Sequence, residues 1–244
     1  MKGTGLILGE DAELGCVKHS NNLPILSPHD YDRIAECILK KYQLDALSTP
    51  QPVKVSALIE FDYGIEYSIG YYDLEGNFCG QMYFVNCYDN VVELQENGYF
   101  RKISKPFSRQ TMFIDERIFT FMKQRCRFTE AHELSHWILH QKFYTDGYQR
   151  AMRSTPKMFF SSTLPEYQAN SLASAILLPL QPLKAETKKY FTDNNLVWKQ
   201  LKDFCQPRNR EKYMQYVDHI ARTFNVSKEC TMIRIERLSG VRYK

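Results

Sequence analysis

The hydrophobic pattern changes period along the chain, from helical spacing near the N-terminus to strand-like alternation and back to helical spacing. Ile34, Ile38, Leu39 and Tyr42 form an apolar stripe behind Ser27-Pro28-His29-Asp30, which starts a helix with Asp30 as its N-cap. A second, short helix runs from Val53 to about Phe61, with Val55, Leu58 and Ile59 inward and Gly64 beyond its end. Strand-like runs follow at Ile65–Tyr72, Gln81–Val85, Val91–Leu94 and Met112–Asp115. Between them lie the turn signals Glu75-Gly76-Asn77, Asp89-Asn90 and Glu96-Asn97-Gly98. These runs predict a small antiparallel or mixed sheet, with the basic tract Tyr99–Arg109 as a loop or wandering strand. Such a sheet offers an edge to an extended peptide.

Helical spacing returns at Arg127–His140, a stretch without Gly or Pro. Pro165 and Pro179 bracket another helix, in which Ala169, Leu172, Ala173, Ile176 and Leu177 fall on one face. Near the C-terminus, Tyr213–Phe224 reads as a helix and Asn225-Val226 as a turn. Ser227 then caps a last helix through Leu238, with Gly240 after it. Helices and strands segregated in this way make the fold class α+β.

The chemistry concentrates in His132-Glu133-Leu134-Ser135-His136. On a helix, residues i and i+4 stand above one another, so two imidazoles reach one metal ion and Glu133 faces an open coordination position. A tetrahedral catalytic zinc needs a third protein ligand. His140 continues the row, but the longer motif H-E-x-x-H-x-x-G-x-x-H fails, since Leu139 stands at its Gly and Lys142 at its last His. His140 is therefore read as a neighbour of the site. Glu166 is the better candidate, because Glu166 and Asn170 share a row with buried-face residues and both need partners. The competing reading is a capping box, Thr163-x-x-Glu166, with Glu166 closing the helix N-terminus. Tyr144, Tyr148 and His140 are open candidates for an oxyanion donor.

Arg127-Phe128-Thr129-Glu130-Ala131-His132-Glu133-Leu134-Ser135-His136, followed by Glu166-Tyr167-Gln168-Ala169-Asn170 and Leu177-Leu178-Pro179, resembles the ImmA/IrrE family of zinc metallopeptidases. The resemblance implies a zincin-like core holding one zinc ion through His132, His136 and Glu166, with Glu133 as the catalytic carboxylate. It also implies a site-specific endopeptidase whose target is a helix-turn-helix repressor encoded nearby. Ser135 departs from the Gly usual in that family, though a small residue is kept. The expected organisation is an N-terminal extension over 1–27, a metallopeptidase core over 28–180 and a basic helical region over 181–244.

Composition narrows the setting. Of 244 residues, 43% are hydrophobic and 25% charged, enough to bury a core. No apolar run is long enough to span a membrane, and the seven cysteines, an odd number, fit free thiols. Both features point to a cytoplasmic protein. A thiolate such as Cys16 blocking the zinc is a lesser reading. Positive charge gathers at the end: 181–244 holds 14 Lys and Arg against 7 Asp and Glu. The preferred reading there is a packed appendage with a solvated basic face. The alternative is a helix-turn-helix with Arg234 and Arg237 facing phosphate or bases, in a DNA-binding regulator whose zinc is structural or vestigial. A third reading is an interaction module that neither cleaves nor needs metal.

Overall fold

Every residue from Phe128 to His140 is buried, so the helix bearing the paired histidines is a core element with no solvent face along that stretch. The computed structural model describes residues 19–20, 23–146, 153–154, 163–196 and 209–239. In chain order its elements begin with β1 (His19–Ser20), β2 (Leu23–Pro24), α1 (Pro28–Tyr42) and α2 (Val55–Ala57). Five strands follow: β3 (Glu66–Gly70), β4 (Gly80–Tyr83), β5 (Cys87–Leu94), β6 (Phe100–Phe107) and β7 (Thr111–Asp115). Then come α3 (Glu116–Phe121), α4 (Lys123–Asp146), β8 (Arg153–Ser154), α5 (Leu164–Leu177), α6 (Leu180–Asp193), α7 (Arg210–Phe224) and α8 (Lys228–Ser239). Among the described residues no helix is long and apolar enough to cross a membrane.

These elements form two units, one of Met1–Ile25 with Val55–Asn170 and one of Leu26–Lys54 with Ser171–Lys244. Helix α1 therefore groups with the C-terminal helices. That grouping differs from the linear division at 27/28 and 180/181 expected from the sequence.

The first unit is built on a mixed four-stranded sheet in the order β3-β7-β4-β8, with β3 parallel to β7 and the other pairs antiparallel. Strands β4 and β7 are buried throughout and lie against α4. Gly80 permits that approach: a Cβ there would stand 2.6 Å from Thr129 Cγ2, one turn before Glu133. The short helix expected over Val53–Phe61 is α2 followed by a π-helical turn, Leu58–Asp62, with Gly64 beyond it at φ +59°.

One expectation fails at the hairpin of β5 and β6, and an open one is decided. Asp89-Asn90, read as a turn, lies inside β5, and of the two readings of the basic tract, loop or wandering strand, the strand holds: it is β6, paired with β5 from Cys87↔Phe107 to Leu94↔Phe100. The Asp89 carboxylate accepts hydrogen bonds from the Tyr72 and Tyr83 hydroxyls and from Gln81 Nε2, so it has partners without bending the chain. Val91 and Phe107 join Phe78, Tyr83 and Phe113 in a core cluster, while most of the hairpin is exposed.

In the second unit, Ser27 rather than Asp30 caps α1. Asp30 sits one turn inside and accepts from Ser27 N at 2.7 Å and Ser27 Oγ at 2.8 Å. Helices α7 and α8 are joined through Asn225, which adopts a left-handed conformation at φ 51°, and Ser227 Oγ caps α8 by accepting from Cys230 N at 3.1 Å. Arg234 corrects the alternative reading, in which it faces phosphate or bases. Its guanidinium is buried, donating to the Leu178 carbonyl at 3.0 Å and pairing with Asp32. Arg237 is partly buried.

Candidate metal centre

Helix α4 stacks His132 below His136, as their spacing requires, and α5 brings Glu166 opposite them. His132 Nε2 lies 3.1 Å from His136 Nε2. Glu166 Oε2 lies 3.2 Å from the first of these atoms, and its Oε1 lies 3.1 Å from the second. All three side chains are buried. The capping reading of Glu166 is set aside, because neither carboxylate oxygen accepts a hydrogen bond in proper geometry from a backbone N–H or side chain among the described residues. Burial alone would push the Glu166 carboxyl up, but the two imidazoles hold it well below the usual carboxylate range. Burial, the largest single influence, likewise works against a charged His132, yet Glu166, Glu133 and Asn170 together outweigh it and raise that imidazole.

A second set of side chains holds the rings. His132 Nδ1 is 3.0 Å from Asn170 Oδ1. His136 Nδ1 is 2.9 Å from His140 Nδ1, and His140 Nε2 is 2.9 Å from Gln168 Oε1. Burial, with the neighbouring His136, pushes His140 down to about 3, so it is a neutral ring. Asn170 and His140 thus stand behind the two imidazoles, where the sequence put neighbours of the site. His140 is turned toward His136 and Gln168, which removes it as an oxyanion donor.

Glu133 is 1% exposed, next along α4 from His132. Its charge adds to that of Glu166 in raising His132, and Tyr144 is raised chiefly by burial and then by the same two carboxylates. Tyr144 packs edge-on against His136 with ring centroids 6.0 Å apart, so of the tyrosines named as oxyanion donors it lies beside the centre. Tyr148 and Cys16 fall outside the described residues.

The donor set fits a divalent cation. With Nδ1 of each ring directed at a neighbour, both Nε2 atoms face a buried carboxylate whose oxygens have no hydrogen-bond donor in proper geometry among the described residues. When both Nε2 atoms are unprotonated, three such groups repel one another unless a positive charge lies between them. Tetrahedral zinc at its usual bond lengths sets ligand atoms about 3.3 Å apart; the 3.1–3.2 Å edges here are close to that.

Gln168 and Glu130 are buried polar residues near the centre that the sequence does not single out. Gln168 lies off the Glu166–Asn170 row, and the only signal for it is that α5 is buried on nearly every side. Glu130 accepts hydrogen bonds from Ser56 Oγ and Tyr67 Oη at 3.1 Å, and burial raises its carboxyl; its partners lie too far away in the chain to be read.

A family model described as peptidase M78, IrrE N-terminal-like domain, matches residues 94–236, more than half of the chain. No curated protein and no solved structure matches it.

Proposed function

Because the chain belongs to the IrrE N-terminal-like family of M78 peptidases, we propose that it is a zinc-dependent endopeptidase with His132, His136 and Glu166 as the ligands. The observation that carries this reading is the convergence of those three buried donors at 3.1–3.2 Å, with a carboxylate on the residue after the first. Zinc held there supplies the charge that acidifies water and stabilises an oxyanion. Glu133 accepts the proton of the attacking water and passes it to the leaving amine. Asn170 and His140 keep the ligand rings oriented while this happens. The substrate we propose is a helix-turn-helix repressor encoded nearby, cut at one site in the cytoplasm. A DNA-binding role instead of cleavage is weakened by the burial of Arg234.

The test is mass spectrometry of such a repressor after incubation with the zinc-loaded protein and with Glu133→Gln. The variant should bind zinc as before and cleave about 10²- to 10⁴-fold more slowly, the usual worth of a general acid–base group. Equal cleavage by both proteins would remove Glu133 from the mechanism.

A further inference from the structure

Behind His136 the hydrogen bonds form a chain that ends on a backbone carbonyl far away in the sequence. Gln168 Nε2 lies 2.6 Å from the carbonyl oxygen of Pro24 in β2. A carbonyl can only accept, so the Gln168 amide must present its NH₂ to Pro24 and its Oε1 to His140. That oxygen in turn requires a proton on His140 Nε2, 2.9 Å away. An imidazole that carries its one proton there has only a lone pair at Nδ1, and the 2.9 Å contact with His136 Nδ1 then takes its proton from His136. The His136 proton is thereby kept on Nδ1, and its Nε2 is left bare toward His132 and Glu166.

We infer that Gln168, fixed by the Pro24 carbonyl, is a positioning residue that sets the tautomers of His140 and His136 and so prepares the metal-binding nitrogen. The inference rests on the zinc reading above. His132 has a one-step version of the same device, Asn170, on its own Nδ1. The His136 arm is longer and depends on a segment that lies before the family match at residues 94–236. Strand β2 is then part of the support of the centre.

The test needs no variant to begin with. Nitrogen-15 correlation spectra of the imidazole rings in metal-free wild-type protein should show the proton of His140 on Nε2 and that of His136 on Nδ1. A His140 proton on Nδ1, or a His136 proton on Nε2, would overturn the inference. The Gln168→Leu variant keeps the bulk of the side chain and removes both hydrogen bonds. It should lose the single His140 tautomer in the same spectra and bind zinc about 10- to 100-fold more weakly in competition with a chromophoric chelator. Unchanged affinity beside a zinc-binding wild type counts against Gln168 alone. A wild type that binds no zinc counts against the metal reading, while the ring spectra still decide the proton order.

Discussion

Glu166 and Arg234 are both almost wholly buried charges, 0% and 3% exposed, and their surroundings treat them in opposite ways. Arg234, in the second unit, has a counter-charge in Asp32 and a carbonyl acceptor in Leu178. The chain itself satisfies it. Glu166, in the first unit, meets two imidazole nitrogens, and its oxygens find no hydrogen-bond donor in proper geometry. The pairing with Asp32 is complete without a ligand, whereas the cluster around Glu166 is one that could hold a cation. Buried charge alone therefore does not mark a functional site. What distinguishes Glu166 is a buried carboxylate that meets titratable imidazoles in place of a fixed counter-charge, with no hydrogen-bond donor in proper geometry among the described residues.

The largest effect should come from breaking the compensated pair. Arg234→Met leaves Asp32 and the Leu178 carbonyl without the guanidinium and should cost about 3–5 kcal/mol in urea unfolding. Replacing Asp32 by Leu as well should recover most of that loss, since a matched apolar pair is often as stable as a buried ion pair. If the single variant is as stable as the wild type, the two clusters do not differ as described. At the other cluster, free zinc at about 100 times its dissociation constant should raise the unfolding free energy by about 2.7 kcal/mol, and a chelator should reverse the gain. No zinc-dependent shift in the unfolding midpoint would mean that the chain already compensates Glu166. Gly80→Ala is the smallest change. It forces β4 away from Thr129 and should cost about 1–3 kcal/mol, with weaker zinc binding in the same chelator competition because the motif helix shifts. Lost stability with full zinc affinity would separate the strand–helix approach from the metal centre.

The same contrast explains what could be read from the sequence. His132 and His136 were legible because a helix fixes the relation of residues four apart, and Glu166 because a charged residue shared a row with a buried face. Arg234 was misread as a surface cation because Asp32, its partner, lies 202 residues away. Gln168 was passed over because its partners are a histidine 28 residues back and a carbonyl 144 residues back. The hairpin of β5 and β6 was half seen for a related reason. A ribbon exposed along most of its length buries only a few apolar residues, such as Val91 and Phe107, and Asp89-Asn90 has the composition of a turn until Tyr72, Tyr83 and Gln81 are brought beside it.

The tie between Pro24 and Gln168 also bears on how the protein is made. During synthesis β2 leaves the ribosome long before α5 exists, so one end of the His136 support waits for the other while most of the first unit is still being translated. The metal pocket is thus among the last features of that unit to be finished, and a nascent chain lacking α5 has neither Glu166 nor the Gln168 brace. On the metal reading proposed above, cation loading would therefore wait for α5, and a chain that ends before it would not form the centre.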